Sequence, residues 1–243
     1  MGRSFPARGL RGPDHGYRLI VPDPILSVGP HGPVPEERVL LEVLAETVDV
    51  LERANVPHLL MGGIASALVG RPRFTHDIDV FVRQHDSTRA LEALEAAGFT
   101  TKVEDPSWLY KAFRRDVLVD LIFRSEGEIY LDEEMLERAT RYDLGGRTVP
   151  IVPAEDLVVM KALAHREETP RYWHDALSIV AREELDWDYL IRRALRHGGR
   201  RVLALLIYAQ SNDLIVPADA VGRLFEAVET AARGSPEGGR AAG

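Results

Sequence analysis

The segment from His58 to Val82, HLLMGGIASALVGRPRFTHDIDVFV, limits the fold more than any other stretch of the chain. A short apolar run meets the glycine pair Gly62–Gly63, a second compact apolar run follows, and the segment ends on DIDVFV. Alternation of this kind marks a strand, in which side chains two apart share a face. Asp77 and Asp79 therefore project together while Ile78 and Val80 pack behind them. The run GGIASALVG has the length of a short helix opening straight off the preceding strand. The segment thus reads strand, helix, strand, with two carboxylates on one face of the second strand.

Two parallel carboxylates in a dry site repel, and one stays protonated unless a cation lies between them. A hard divalent ion with a preference for oxygen, Mg2+ or Mn2+, resolves that conflict. Asp120, alone in the apolar run VLVDLIF, is a third carboxylate at a mid-strand position. Three such groups on adjacent strands can hold metal for an in-line displacement at phosphorus. The plainer reading is that each aspartate merely solvates a sheet end. The glycines weigh against it. Gly62 and Gly63 fall at a strand-to-helix junction, where backbone N–H groups and the helix dipole attract phosphate. Without side chains there a triphosphate can approach closely, and Ser66 in the early helix offers a hydroxyl to the same phosphate.

The rest of the chain divides by pattern. Residues 1–34 are rich in Gly, Pro, Arg and His and read as an extended or disordered arm, and residues 234–243 as a disordered tail. Helical spacing runs from Pro35 to Ala54. STRALEALEAAGF is an amphipathic helix ending at Gly98. FTTKVE, WLYKAFR and VLVDLIFR are strand candidates, and Gly145–Gly146 in YDLGGRTVPIV predicts a hairpin turn. From Pro153 onward, five successive segments have helical spacing. The expectation is an α+β chain, with an α/β domain over 35–152 and a helical domain over 153–233.

Composition excludes several classes. The 243 residues contain no cysteine, which removes disulfides, thiolate zinc sites and a cysteine nucleophile. A formal net charge of -8 argues against bulk nucleic-acid affinity while leaving room for carboxylate-held metal. No apolar run is long enough to span a bilayer and Met1 to Pro6 shows no secretory pattern, so a cytoplasmic location is expected.

The stretch GGIASALVGRPRFTHDIDVFV resembles the signature of the DNA polymerase β-like nucleotidyltransferase superfamily, a glycine pair followed by two aspartates in alternation with apolar residues. Its spacing looks most like the minimal and AbiEii-like branches, which include toxins of type IV toxin–antitoxin systems. VPAEDLVVMKALAHR is similar to their K-x-x-x-x-R motif at Lys161 and Arg166, and RYWHDALSIV to the helix that follows, with Asp175 at its acidic position. The resemblance covers about residues 36–185. It implies a short mixed sheet flanked by helices, closed by a C-terminal helical bundle. It further implies metal held by Asp77, Asp79 and Asp120, an NTP as substrate, and catalytic roles for these aspartates and Lys161. Many relatives have Gly-Ser in place of Gly62–Gly63, and a Lys-Asp pair in place of Trp173–His174, differences that bear on nucleotide preference.

Arg71, Arg73 and Thr75 stand between the glycines and the aspartates, where an arginine can clamp phosphate oxygens or simply be solvated. Lys161 lies one turn after Leu157, facing either the phosphates or Asp175 as a plain salt bridge. His76, His165 and His174 lack a metal-ligand pattern. Arg192, Arg193, Arg196, Arg200 and Arg201 form a basic run that suits an RNA backbone or a solvated helix face. Trp108, Tyr110, Trp173 and Trp187 suit core or cleft wall. Three functions compete: a toxin acting on tRNA with a cognate antitoxin, an enzyme acting on a small molecule such as an aminoglycoside, and a non-catalytic nucleotide binder.

Overall fold

The computed structural model describes residues 35–144 and 146–234. The arm over 1–34, Gly145 of the predicted turn and the tail beyond Gly234 lie outside the described residues. The chain opens with α1 (Pro35–Arg53), which has proline at its first position and Glu36 and Glu37 in its first turn, both suited to a helix N-terminus. The helix ends where Asn55 takes a left-handed φ of 51° and the Val56 N–H donates back to the Leu51 carbonyl. Then come β1 (His58–Leu60), α2 (Gly62–Val69), β2 (Asp77–Val82), α3 (Ser87–Ala96), β3 (Thr100–Asp105), β4 (Leu109–Arg114) and β5 (Val117–Ile122). A short helix α4 (Glu133–Arg138) leads into the hairpin β6 (Thr140–Leu144) and β7 (Arg147–Ile151). Five helices follow: α5 (Ala154–Ala164), α6 (Arg171–Arg182), α7 (Trp187–His197), α8 (Gly199–Ser211) and α9 (Ala218–Gly234).

The seven strands form one mixed sheet in the order β3-β4-β5-β2-β1-β7-β6. β2 runs parallel to β5 and β1 parallel to β7, while the other neighbours are antiparallel. The expected α+β architecture, a mixed sheet flanked by helices and followed by a helical region, is what the chain forms. The predicted hairpin is present, with Gly146 at a φ of 84°.

Burial follows the alternation in β2: Ile78 and Val80 are fully buried, while Asp77 and Asp79 on the other face are partly accessible. α1 and α3 pack on each other and against β5. α5 has buried residues all round, from Glu155 to Ala162, because α2, α6, α7 and α8 all pack against it. No helix among the described residues is long and apolar enough to cross a membrane.

Two features depart from the sequence reading. α4 was not legible: six residues give too short a period, and its start is set by Asp132, whose carboxylate accepts from the Met135 N–H at 3.0 Å. The basic run on α7 and α8 is not one solvated face. Arg193 is buried, donating from Nε to Asp156 at 2.6 Å and from Nη1 to Asp132 at 2.5 Å, and Tyr189 donates its hydroxyl to Asp156 at 2.5 Å. That network ties α4, α5 and α7 together. Arg192 pairs with Glu134 at 2.6 Å.

Candidate active site

β2 and β5 are parallel neighbours in a register that sets Asp79 beside Asp120, with Asp77 two residues earlier on the same strand face. All three carboxylates line a cleft of about 570 Å³ between the sheet and α5–α6. The glycine pair shapes the same wall for a steric reason. Gly62 has a φ of 62°, and a Cβ there would lie 1.8 Å from Asp79 Oδ2; a Cβ on Gly63 would lie 2.5 Å from Thr75 Oγ1. Only glycine lets the carboxylate of Asp79 lie against the start of α2, where the Gly63 N–H donates to Asp79 Oδ2 at 3.3 Å. Thr75 in turn donates its hydroxyl to Asp77 Oδ1 at 2.5 Å.

The charges of this wall are in conflict. Burial, then the neighbouring charge of Asp77, push the Asp79 carboxyl up to about 6, with Asp120 adding to the shift and the Gly63 N–H and Lys161 opposing it. Burial likewise raises Asp120, against the ammonium of Lys111, whose Nζ lies 2.9 Å from Asp120 Oδ1. This is the imbalance a bound cation removes. Among the described residues no three His, Cys, Asp or Glu side chains converge as a ready metal cage. Mg2+ needs none, since it takes one or two carboxylates and completes its shell with phosphate oxygens and water. Asp77 and Asp79 are donors of that kind.

The opposite wall is cationic. Lys161 on α5 donates to Asp175 Oδ2 at 3.1 Å, and Arg73 grips the same carboxylate through Nε at 3.1 Å and Nη2 at 3.0 Å. Burial pushes Asp175 up, but Arg73 and Lys161 outweigh it and hold the carboxyl below its ordinary range. One buried carboxylate thus fixes two cations, and both line the cleft. The Lys161 ammonium also lies 4.9 Å from the centre of the Tyr172 ring.

Of the residues singled out in the sequence, Gly62, Gly63, Arg73, Thr75, Asp77, Asp79, Trp108, Asp120 and Lys161 line the cleft, and Asp175 stands behind two of them. Three of the candidate nucleotide-binding residues lie elsewhere. Ser66 is buried and donates its hydroxyl to the Gly62 carbonyl at 2.7 Å, the back-bond open to a serine one turn into a helix, so it is not free for phosphate. Arg71 is exposed on the loop after α2, where its backbone N–H donates to Ser178 Oγ at 3.1 Å. Arg166 pairs with Glu126 at 3.1 Å and donates to carbonyls at the end of α5, outside the lining. The sequence reading missed Arg124, Arg171, Tyr172 and above all Lys111. A signal for Lys111 existed: β4 and β5 are joined by only Arg115 and Asp116, both at positive φ (50° and 63°), and a two-residue turn fixes Lys111 opposite Asp120.

A family model described as nucleotidyl transferase of unknown function (DUF2204) matches residues 40–196. The chain belongs to this family. No curated protein matches it. Among solved structures it is similar to the antibiotic-resistance factor ANT(2'')-Ia, at 16% identity and TM-score 0.45 over 81% of this chain and 95% of that one. The lincosamide antibiotic adenylyltransferase LnuA matches at 15% identity and TM-score 0.43, over 57% of this chain and 94% of that one. An antigenic nucleotidyltransferase-like protein from Paracoccidioides brasiliensis matches at 16% and 0.44, over 79% and 92%. Family membership rests on the sequence match, which spans every residue of the carboxylate wall and of the cationic wall facing it.

Proposed function

We propose that the chain transfers a nucleoside monophosphate from an NTP to a hydroxyl of a small-molecule acceptor and releases pyrophosphate. The observation that supports this most is the cluster of Asp77, Asp79 and Asp120 on one face of the sheet, in front of a glycine pair and across a cleft from two cations fixed by Asp175. Asp77 and Asp79 hold Mg2+ or Mn2+, which supplies positive charge against the triphosphate. Lys161 and Arg73 neutralise phosphate oxygens from the other wall, and Arg171 at the start of α6 lies within reach of the same space. Asp120 accepts the proton of the acceptor hydroxyl; the freed oxygen bonds the α-phosphorus as the bond to the bridging oxygen breaks and pyrophosphate leaves. Rate comes from positioning and charge neutralisation rather than from covalent chemistry.

The basic run supports the small-molecule acceptor over tRNA. No residue of α7 or α8 lines the cleft, and Arg193 is occupied inside the protein. A toxin acting on tRNA, held in check by an antitoxin, would want those cations at the cleft mouth.

Ligand binding to the folded state alone raises stability by mass action. One NTP with Mg2+ at about 100 times its Kd should therefore raise the melting temperature by roughly 5–10 °C. Asp77→Asn should lose that shift. No shift with any of the four NTPs at millimolar concentration would refute nucleotide binding in this cleft.

A further inference from the structure

Asp120 has a neighbour on each side. In β2 it is beside Asp79, and in β4 it is directly opposite Lys111. Paired positions share a sheet face, so Asp79, Asp120 and Lys111 form one row across three strands on the cleft side. Lys111 Nζ lies 2.9 Å from Asp120 Oδ1, and the two side chains are only 21% and 14% exposed, which shields the pair from solvent screening. Among the described residues no comparable cation pairs with Asp77 or Asp79, whose carboxylates accept from the Thr75 hydroxyl and the Gly63 N–H respectively. An ammonium and a divalent ion on the same carboxylate repel each other, so a metal reaching Asp120 would have to displace Lys111.

We propose that Lys111 is a built-in counter-cation that reserves Asp120 from the metal, confining a divalent ion to Asp77 and Asp79 and leaving Asp120 as the proton acceptor. The inference rests on the nucleotidyl-transfer reading above and divides its three aspartates into a metal pair and a base. Lys111 is in that sense a positioning residue: it lies outside the lining of the cleft and acts through Asp120.

Manganese binding to the full-length protein, followed by the electron paramagnetic resonance of free Mn2+ without nucleotide, tests this independently of turnover. Wild type should bind one Mn2+, and Asp77→Asn should lose it. Lys111→Gln and Lys111→Met free Asp120 to ligate, so they should tighten Mn2+ by ~10-fold or add a second site. Lys111→Arg should behave as wild type. Were Lys111 acting only through its long-range field, its removal would tighten binding by the same factor with or without the Asp120 carboxylate. The gain from Lys111→Gln should instead largely vanish in an Asp120→Asn background. Wild-type affinity in both Lys111→Gln and Lys111→Met, or an equal gain in the Asp120→Asn background, would overturn the assignment while leaving the metal pair intact. A wild-type protein that binds no Mn2+ would overturn the metal-pair reading and this inference with it.

Discussion

Asp79→Asn should abolish nucleotidyl transfer and, in metal-free buffer at neutral pH, make the protein more stable than wild type. The two effects have one cause. Asp79 is pushed up to about 6 because its charge is partly buried and lies beside those of Asp77 and Asp120. The folded protein therefore binds the Asp79 proton at higher pH than the unfolded chain does. Between pH about 4 and about 6 the folded state holds the extra proton, so stability contributed by this group is present below that window and lost as pH rises through it. Asparagine keeps the shape and the acceptor for the Gly63 N–H, removes the charge, and should raise the melting temperature at pH 7.5 by about 2–4 °C. Transfer should fall to background, because the proposed metal pair would lose one of its two carboxylates. Saturating Mg2+ should abolish the stability difference by restoring charge balance in wild type. Near-normal turnover of the variant would remove Asp79 from the metal pair.

Lys161→Ala should lower kcat/KM by roughly 10²-fold or more, the scale of losing one charge partner of a transition state. The structure gives Lys161 two roles: it donates to Asp175 and it lines the cleft. Asp175 keeps its two-pronged contact from Arg73 when the lysine is removed, so the buried carboxylate is not abandoned and the fold should survive. Single-turnover rate per folded molecule and melting temperature separate the roles. A destabilised variant of full activity would reduce Lys161 to a plain salt bridge. Asp175→Ala frees both cations at once and should cost activity through misplacement of Arg73 and Lys161, so it should raise KM for nucleotide along with lowering kcat.

Much of this site could be read from the sequence because strand periodicity assigns faces. Asp77, Asp79 and Asp120 each lie in an apolar alternation, and that alone put Ile78 and Val80 in the core and the carboxylates on the cleft side. Periodicity does not say which element a face meets. Ser66 had a hydroxyl at a suitable depth in α2, but the Gly62 carbonyl one turn back claims it. Arg193 looked like one more surface cation, yet it faces Asp156 on α5 and Asp132 at the cap of α4, a meeting set by how α4, α5 and α7 pack. Gly62 and Gly63 were read as clearance for a phosphate; what periodicity could not show is that they also give clearance to Asp79 and Thr75. Lys111 needed the β4–β5 register, which its turn encodes in the backbone of Arg115 and Asp116, two residues without the usual glycine signature.

The central claim is that this cleft splits an NTP between its α- and β-phosphates and places the nucleotide on a small molecule. The most direct test incubates the protein with each NTP labelled at the α-phosphate, Mg2+, and either a cell extract of small molecules or total tRNA. The account predicts label in one small-molecule product, equimolar pyrophosphate, and neither with Asp77→Asn. Label on tRNA would contradict the acceptor assignment, and release of inorganic phosphate without pyrophosphate from every NTP would contradict nucleotidyl transfer itself.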